Sequence, residues 1–85
     1  MIIKVTRGNI HLRVGDREVY VQGEMIPFPP GRDPYFWVLG ADRWDDGTVV
    51  SAADRTSIDT QLVADAAERG LALDFSVDRP DSAAQ

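Results

Sequence analysis

Two runs of alternating apolar and polar residues, "NIHLRV" and "REVYVQ", are separated by Gly15-Asp16. A period of two is typical of a half-buried strand, and a Gly-Asp pair between two such runs is typical of a two-residue hairpin loop. The weakly alternating residues 2–7 predict another strand before them. The loop length predicts a hairpin register in which apolar residues share one face, with the pairs Val14–Arg17, Arg13–Glu18, Leu12–Val19, His11–Tyr20 and Ile10–Val21.

A proline-rich segment follows the hairpin. Residues 23–34 carry four prolines, and proline lacks the N–H that a central strand donates. We therefore expect an extended, rigid surface loop over this range. The run "YFWVLGA" at 35–41 is apolar on both faces and predicts a central strand. The residues after it, 42–50, are expected to form a loop that has room for a short strand at 48–50.

The second half of the chain begins with helix signals. Ser51 and Asp54 resemble a capping box in which Asp replaces the usual Glu or Gln. Arg69-Gly70 supplies a cation and a C-terminal glycine. The spacing predicts a helix over 52–69, and its apolar face comprises Ile58, Leu62, Val63, Ala66 and Ala67.

Residues 71–78, "LALDFSVD", alternate in polarity and predict a last strand. Residues 79–85 carry no core-forming side chain and are expected to be a flexible tail. The fold class is then α+β: a largely antiparallel sheet of about five strands, in the order βββ-β-α-β, with one amphipathic helix on one face. Residues 1–78 are enough for one small domain.

Charge and composition exclude several classes of protein. The net charge of −5 repels a phosphate backbone, so we expect no nucleic-acid partner and favour a basic protein partner. The chain has no cysteine, which excludes disulfides and thiolate metal sites. No signal peptide or membrane-spanning run is visible, so a cytoplasmic protein without membrane contact is expected.

The stretch "DRWDDG" at 42–47 places three aspartates around a tryptophan. An EF-hand would need a ligand where Trp44 stands and a bidentate Glu where Ala53 stands, so this calcium site is rejected. A looser cation site and a polar turn held by its own Asp side chains remain as alternatives, and the turn is the better interpretation. No metal or cofactor is therefore predicted.

Catalytic chemistry finds little support. Asp45 and Asp46 are adjacent in an expected surface loop, which offers no apolar pocket to raise the pKa of an acid. His11 is the only histidine, and no serine stands in a nucleophile-elbow context. An enzyme is accordingly not predicted.

The aromatic residues have two interpretations. Along a strand, Tyr35 and Trp37 face one way and Phe36 the other. Together with Trp44, they either pack over a thin sheet or serve as anchors for a protein partner, since Trp and Tyr are enriched at interface hot spots.

Several short motifs resemble the immunity protein 74 family of bacterial polymorphic toxin systems. They are "VTRG", Gly23-Glu24 after the hairpin, the aromatic strand, Trp44-Asp45, the single helix and "RGLALDF", and they cover residues 2–77. The loop after Trp44 reads "WDDGTVV", whereas family members tend to carry proline there.

The resemblance implies a non-enzymatic protein that binds and neutralises a cognate toxin. With the acidic charge, it predicts partner contacts at Trp44, Asp42, Asp45, Asp46, Tyr35, Trp37, Asp54 and Glu24. The alternative is a small interaction or regulatory module without a toxin, self-associating as a homodimer through an exposed sheet edge such as 71–77.

Overall fold

The structure is a computed structural model that describes residues 1–76. The sheet has the strand order β1-β2-β3-β4-β5, and every neighbouring pair is antiparallel except β4 and β5. The predicted α+β class and element order are confirmed, whereas the predicted tail, 79–85, lies outside the described residues. The elements are β1 (Ile2–Val5), β2 (Asn9–Val14), β3 (Arg17–Ile26), β4 (Tyr35–Gly40), α1 (Ala52–Arg69) and β5 (Leu73–Asp74).

The β2–β3 hairpin has the predicted register in all five pairs. Gly15 adopts a φ of 64°, which a turn of this length requires and glycine adopts without steric cost. The alternating apolar residues are buried beneath the helix: Ile10, Leu12, Val19 and Val21. On the opposite face, the ring of His11 stacks on Tyr20 with centroids 4.4 Å apart.

The strand β3 continues beyond the hairpin, so the prediction of a loop from residue 23 was wrong for residues 23–26. Prolines begin only at Pro27, and the N–H groups before it remain available for pairing. Gly23 N donates to the carbonyl of Gly8 at 3.1 Å, and residues 23–26 pair with β4. The proline-rich loop is therefore residues 27–34.

The helix α1 has the predicted boundaries and caps. Ser51 accepts a hydrogen bond from Asp54 N at 3.0 Å, and Asp54 Oδ2 accepts one from Ser51 N at 3.1 Å. Gly70 ends the helix in the left-handed conformation with φ 70°. Within the predicted apolar face, Ile58, Leu62 and Ala66 are buried, whereas Val63 is 50% exposed.

The helix covers one side of the sheet and closes its β1 edge. It lies against β1 and β2. Asp65 Oδ2 accepts a hydrogen bond from Ile2 N at 2.7 Å, and the Arg69 guanidinium donates to Ile2 O at 2.6 Å. Five strands span roughly 24 Å, whereas a helix is about 10 Å wide. The core-facing side chains of β4, Phe36 and Val38, are nevertheless buried, whereas Leu73 of β5 is only partly buried.

The last strand is shorter than predicted, since β5 contains only Leu73 and Asp74. Leu71 N is used by the helix C-cap, where it donates to Ala66 O at 2.8 Å. Asp74 Oδ1 accepts from Ser76 N at 2.8 Å, which turns the backbone away from strand pairing. The remaining predicted strand residues, 77–78, lie outside the described residues. No strand forms at 48–50, where a single bridge joins Arg43 and Val49.

Candidate binding surface

The acidic loop, residues 42–48, follows β4 and is folded against the start of β3. Trp44 pairs with Val19 in a single antiparallel bridge. Asp45 N donates to Glu18 O at 2.9 Å, and Trp44 N donates to Thr48 O at 2.8 Å. These main-chain hydrogen bonds fix the loop to the sheet on one side and close it on itself on the other.

The side chain of Trp44 anchors the loop from inside. It is only 4% exposed and belongs to the hydrophobic core. Its Nε1 donates to Asp54 Oδ2 at 3.1 Å, which connects the loop to the helix N-terminus. The guanidinium of Arg17 lies 4.0 Å from the centroid of the indole ring, a cation–π geometry. Of the two interpretations of Trp44, the structure has the packed one, because the core and Arg17 cover its ring and leave little of it for a partner to contact.

Two of the predicted aspartates have structural roles. Asp46 Oδ1 accepts from Thr48 N at 2.9 Å, and hydrogen bonds from the side chain and then the backbone of Thr48 lower the pKa of Asp46. The Ser51 N–H, followed by the Trp44 indole, lowers the pKa of Asp54. Both carboxyl groups are thereby kept charged, with oxygens engaged within the chain.

The remaining two aspartates point outward. Asp42 and Asp45 are exposed, and within residues 1–76 their carboxylates form no hydrogen bond or ion pair. Their main chain is nevertheless held, since Asp42 O accepts from Val50 N at 2.9 Å and Asp45 N is bound as described above. The loop thus presents, from a fixed backbone, two negative charges that no residue of the described range 1–76 neutralises.

The other predicted contact residues form a separate group at the far end of β3. Glu24 lies opposite Trp37 in the β3–β4 register, whereas Trp44 lies opposite Val19. Five residues along a strand separate these positions, a distance of about 17 Å. Trp37 is half-buried, and its Nε1 donates to Ser76 O at 2.9 Å. The eight predicted residues therefore do not form one patch.

Tyr35 is 2% exposed and offers no surface to a partner, contrary to the prediction. The guanidinium of Arg32 lies 3.9 Å from the centroid of its ring and also contacts Asp74 Oδ2 at 3.2 Å. The hydrogen bonds of Asp74 with Ser76 and then with Arg32 lower the pKa of the Asp74 carboxyl. This arrangement connects the proline-rich loop to β4 and β5.

An exposed aromatic residue went unpredicted in the proline-rich loop. Phe28 is 92% exposed, the highest exposure of any large hydrophobic side chain among residues 1–76. Its sequence signal is an aromatic residue between two prolines, Pro27 and Pro29, in a segment without strand or helix periodicity. Such a side chain has no core to enter, because the prolines keep the segment out of the sheet.

The described part of the chain has neither a cluster of metal ligands nor a membrane-spanning helix. Over residues 1–76, no three His, Asp or Glu side chains converge in a way that would hold a metal ion. No helix there combines the length and the apolar character that crossing a bilayer requires.

The single histidine, His11, is paired with a carboxylate. Its Nε2 contacts Glu18 Oε1 at 2.6 Å, and this bond, with a further one from Arg13, lowers the pKa of Glu18.

Comparison of the chain with protein-family models, with curated proteins and with solved structures gives no match. The resemblance to the immunity protein 74 family therefore stays a prediction from the motifs in the sequence.

Proposed function

We propose that this chain is a non-enzymatic immunity protein that binds and neutralises a toxin with a basic surface in the cytoplasm, without a cofactor. The observation that carries the proposal is the acidic loop, in which Asp42 and Asp45 are exposed, have no side-chain partner within residues 1–76 and stand on a backbone fixed by the buried Trp44.

Rigidity of the loop favours tight binding. A partner that contacts a mobile loop must offset the entropy lost when the loop becomes ordered, and this cost weakens the complex. Here the hydrogen bonds of Trp44 and Asp45 to the sheet and of Trp44 to Asp54 have already ordered the loop. The carboxylates can therefore meet basic side chains without further rearrangement.

Charge favours fast capture. The chain has a net charge of −5, and an acidic surface raises the association rate with a basic partner, most strongly at low salt. A toxin that acts on nucleic acid would have a basic cleft. In that case Asp42 and Asp45 would occupy the positions of substrate phosphates and block access directly.

Co-expression with the product of the neighbouring reading frame tests the proposal. Host growth is scored first, and the complex is then purified and its affinity measured. We expect the wild-type chain to restore growth, and Asp42→Lys/Asp45→Lys to weaken the complex by at least about tenfold. The matched control, Asp33→Lys/Glu68→Lys, makes the same change in net charge at exposed positions outside the loop.

Melting temperatures separate loss of binding from loss of folding, and neither double variant should lower them markedly, because all four side chains are exposed. A loop variant that neutralises the toxin as well as wild type would refute the role of the loop. Equal weakening by both double variants would show that only total charge matters. A neighbour that is harmless, or toxic but not neutralised, would refute immunity itself.

A further inference from the structure

One peptide bond in the acidic loop joins two residues that favour a spontaneous rearrangement. Asp46-Gly47 is the only Asp-Gly pair in the chain, and the sequence has no Asn-Gly pair. In an Asp-X pair, the main-chain nitrogen of X can attack the side-chain carboxyl carbon of Asp. A side chain on X hinders this approach, so glycine leaves Asp46 the least hindered of the aspartates.

The turn in the acidic loop needs glycine at this position. Gly47 adopts a φ of 89°, in a region that residues with a side chain rarely enter. Gly47 N donates to Trp44 O at 2.9 Å, which helps to close the loop. The conformation that orders the loop therefore requires the one residue type that gives Asp46 its reactive neighbour.

In the folded loop, hydrogen bonds hold both reacting groups. The attacking atom, Gly47 N, keeps its proton in the hydrogen bond to Trp44 O, and Gly47 O accepts from the Arg43 guanidinium at 3.0 Å. Asp46 Oδ1 accepts from Thr48 N at 2.9 Å. Attack requires the nitrogen to lose its proton and the carboxyl group to turn toward it, so these hydrogen bonds must first break.

The charge of the carboxyl group adds to this protection. The attacked carboxyl group must be protonated, because one of its oxygens leaves as water. Hydrogen bonds from the side chain and then the backbone of Thr48 lower the pKa of Asp46. Near neutral pH, the protonated form is therefore rarer in the folded chain than in the unfolded chain.

We propose that Asp46 is a site of spontaneous isoaspartate formation, that the folded acidic loop suppresses the reaction, and that the product loosens the loop. Gly47 N loses its proton to solvent and bonds to Cγ of Asp46, the Cγ–OH bond breaks, and water leaves a five-membered succinimide. Water then adds to one of the two carbonyl carbons, giving OH to the carbon and a proton to the nitrogen. Addition at Cγ restores Asp46, whereas addition at the main-chain carbonyl carbon breaks that carbon's bond to Gly47 N. The mass is unchanged overall, and no electron is gained or lost.

The product has a longer main chain in the acidic loop, because the chain now runs through Cβ and Cγ of Asp46. The carboxylate that accepted from Thr48 N moves to Cα, and the spacing that closes the loop is lost. Trp44 N, which donates to Thr48 O at 2.8 Å, should then exchange its hydrogen faster, whereas Leu12 N in the hairpin should not change. Weaker toxin binding would follow only if the proposed function holds, whereas the chemistry concerns the chain alone and is tested without a toxin.

Peptide mapping of the aged chain tests the proposal, with electron-transfer fragmentation to locate isoaspartate. The chain is incubated near neutral pH unfolded in guanidinium chloride, and folded in sodium chloride of the same concentration. In the unfolded chain, Asp46 should convert faster than any other aspartate. In the folded chain its conversion should be slower by about ten- to hundredfold, because each of the two hydrogen bonds at Gly47 N and Asp46 Oδ1 shifts an equilibrium by roughly three- to tenfold.

Arg43→Ala tests the loop separately from the rest of the fold. It removes the guanidinium that holds Gly47 O, so conversion of Asp46 in the folded chain should be faster by about threefold. The matched control is Arg55→Ala, which makes the same change in charge at an exposed helix position whose side chain has no partner within residues 1–76. This control should convert at the wild-type rate. Both arginines are exposed, so the melting temperatures should stay close to that of wild type.

Equal rates of conversion in the folded and the unfolded wild-type chain would overturn the proposal. So would faster conversion of another aspartate in the unfolded chain, or an Arg43→Ala variant that converts no faster than Arg55→Ala. An isoaspartyl chain in which the Trp44 amide exchanges at the wild-type rate would show that the loop stays closed, contrary to the loosening proposed here.

Discussion

Replacing Gly23 with alanine is the most direct test of how β3 packs against β4. A Cβ atom at this position would lie 2.2 Å from the carbonyl oxygen of Trp37 and 2.4 Å from Cε1 of Phe36. Neither group has room to retreat. The carbonyl belongs to the main chain of β4, and the ring of Phe36 is fully buried in the core.

The size of the effect follows from these contacts. Overpacking a core costs about 1–3 kcal/mol, and contact with both a main-chain atom and a buried ring places Gly23→Ala near about 3 kcal/mol. In a domain of 60–100 residues, 1 kcal/mol lowers Tm by roughly 4–8 °C, so we expect a decrease of about 12–24 °C. Adding Phe36→Leu removes the ring contacts but not the contact with the carbonyl, so the two substitutions should be less than additive.

Thermal melting and urea unfolding, both followed by circular dichroism, provide the measurement. Gly8→Ala is the matched control because no atom lies within 4 Å of the position that its Cβ would take. The free energy of unfolding of Gly8→Ala should stay within about 0.5 kcal/mol of the wild-type value. If Gly23→Ala melted within a few degrees of the control, the close approach of β3 and β4 described here would be wrong.

Three further predictions concern the site and the core. Trp44→Phe removes the indole N–H, so the pKa of Asp54 should rise toward its ordinary value in an NMR titration of the carboxyl groups; no change would mean that the hydrogen bond is absent. A hydrogen bond with the N-terminal amine lowers the pKa of Asp65, so its contribution to stability is present above the unfolded pKa of about 3.9 and is lost as the pH falls through the folded pKa. Asp65→Asn should therefore flatten the acid limb of a plot of Tm against pH, and an unaltered limb would refute this assignment. Leu62→Ala should lower the free energy of unfolding, measured in urea, by about 2–5 kcal/mol, because Leu62 is fully buried. Val63→Ala, at the half-exposed neighbouring position, should lower it by less than about 1 kcal/mol. Equal losses of stability would contradict the placement of the helix.

Local signals explain why much of the fold was predictable. The hairpin register depends on the two-residue loop at Gly15-Asp16 and on alternation within a few residues of it. The helix boundaries depend on Ser51 at one end and Gly70 at the other, each of which caps a backbone group close to it in the chain. In both elements the residues that decide the structure are near neighbours in sequence.

The site was less predictable because distant residues decide it. Whether Trp44 is exposed depends on Arg17, which comes 27 positions earlier in the chain and covers the indole ring. Tyr35 is covered by Arg32, whose position is fixed in turn by Asp74. Such long-range contacts leave no periodic pattern in the sequence of a strand or loop. The local sequence of an aromatic residue beside acidic residues is therefore the same whether its side chain is buried or exposed.

In the proposed toxin complex, a buried Trp44 would have a different role from that of an exposed one. An exposed indole would contribute contact area to a partner, whereas this one fixes the backbone that carries Asp42 and Asp45. Loss of a charged contact and loss of loop rigidity should affect the rate and the salt dependence of binding in different ways. Asp42→Asn should lower the association rate and its dependence on salt, because a charge is removed. Trp44→Phe keeps every exposed charge, so its effect on binding should come through the entropy of ordering the loop and leave the salt dependence unchanged.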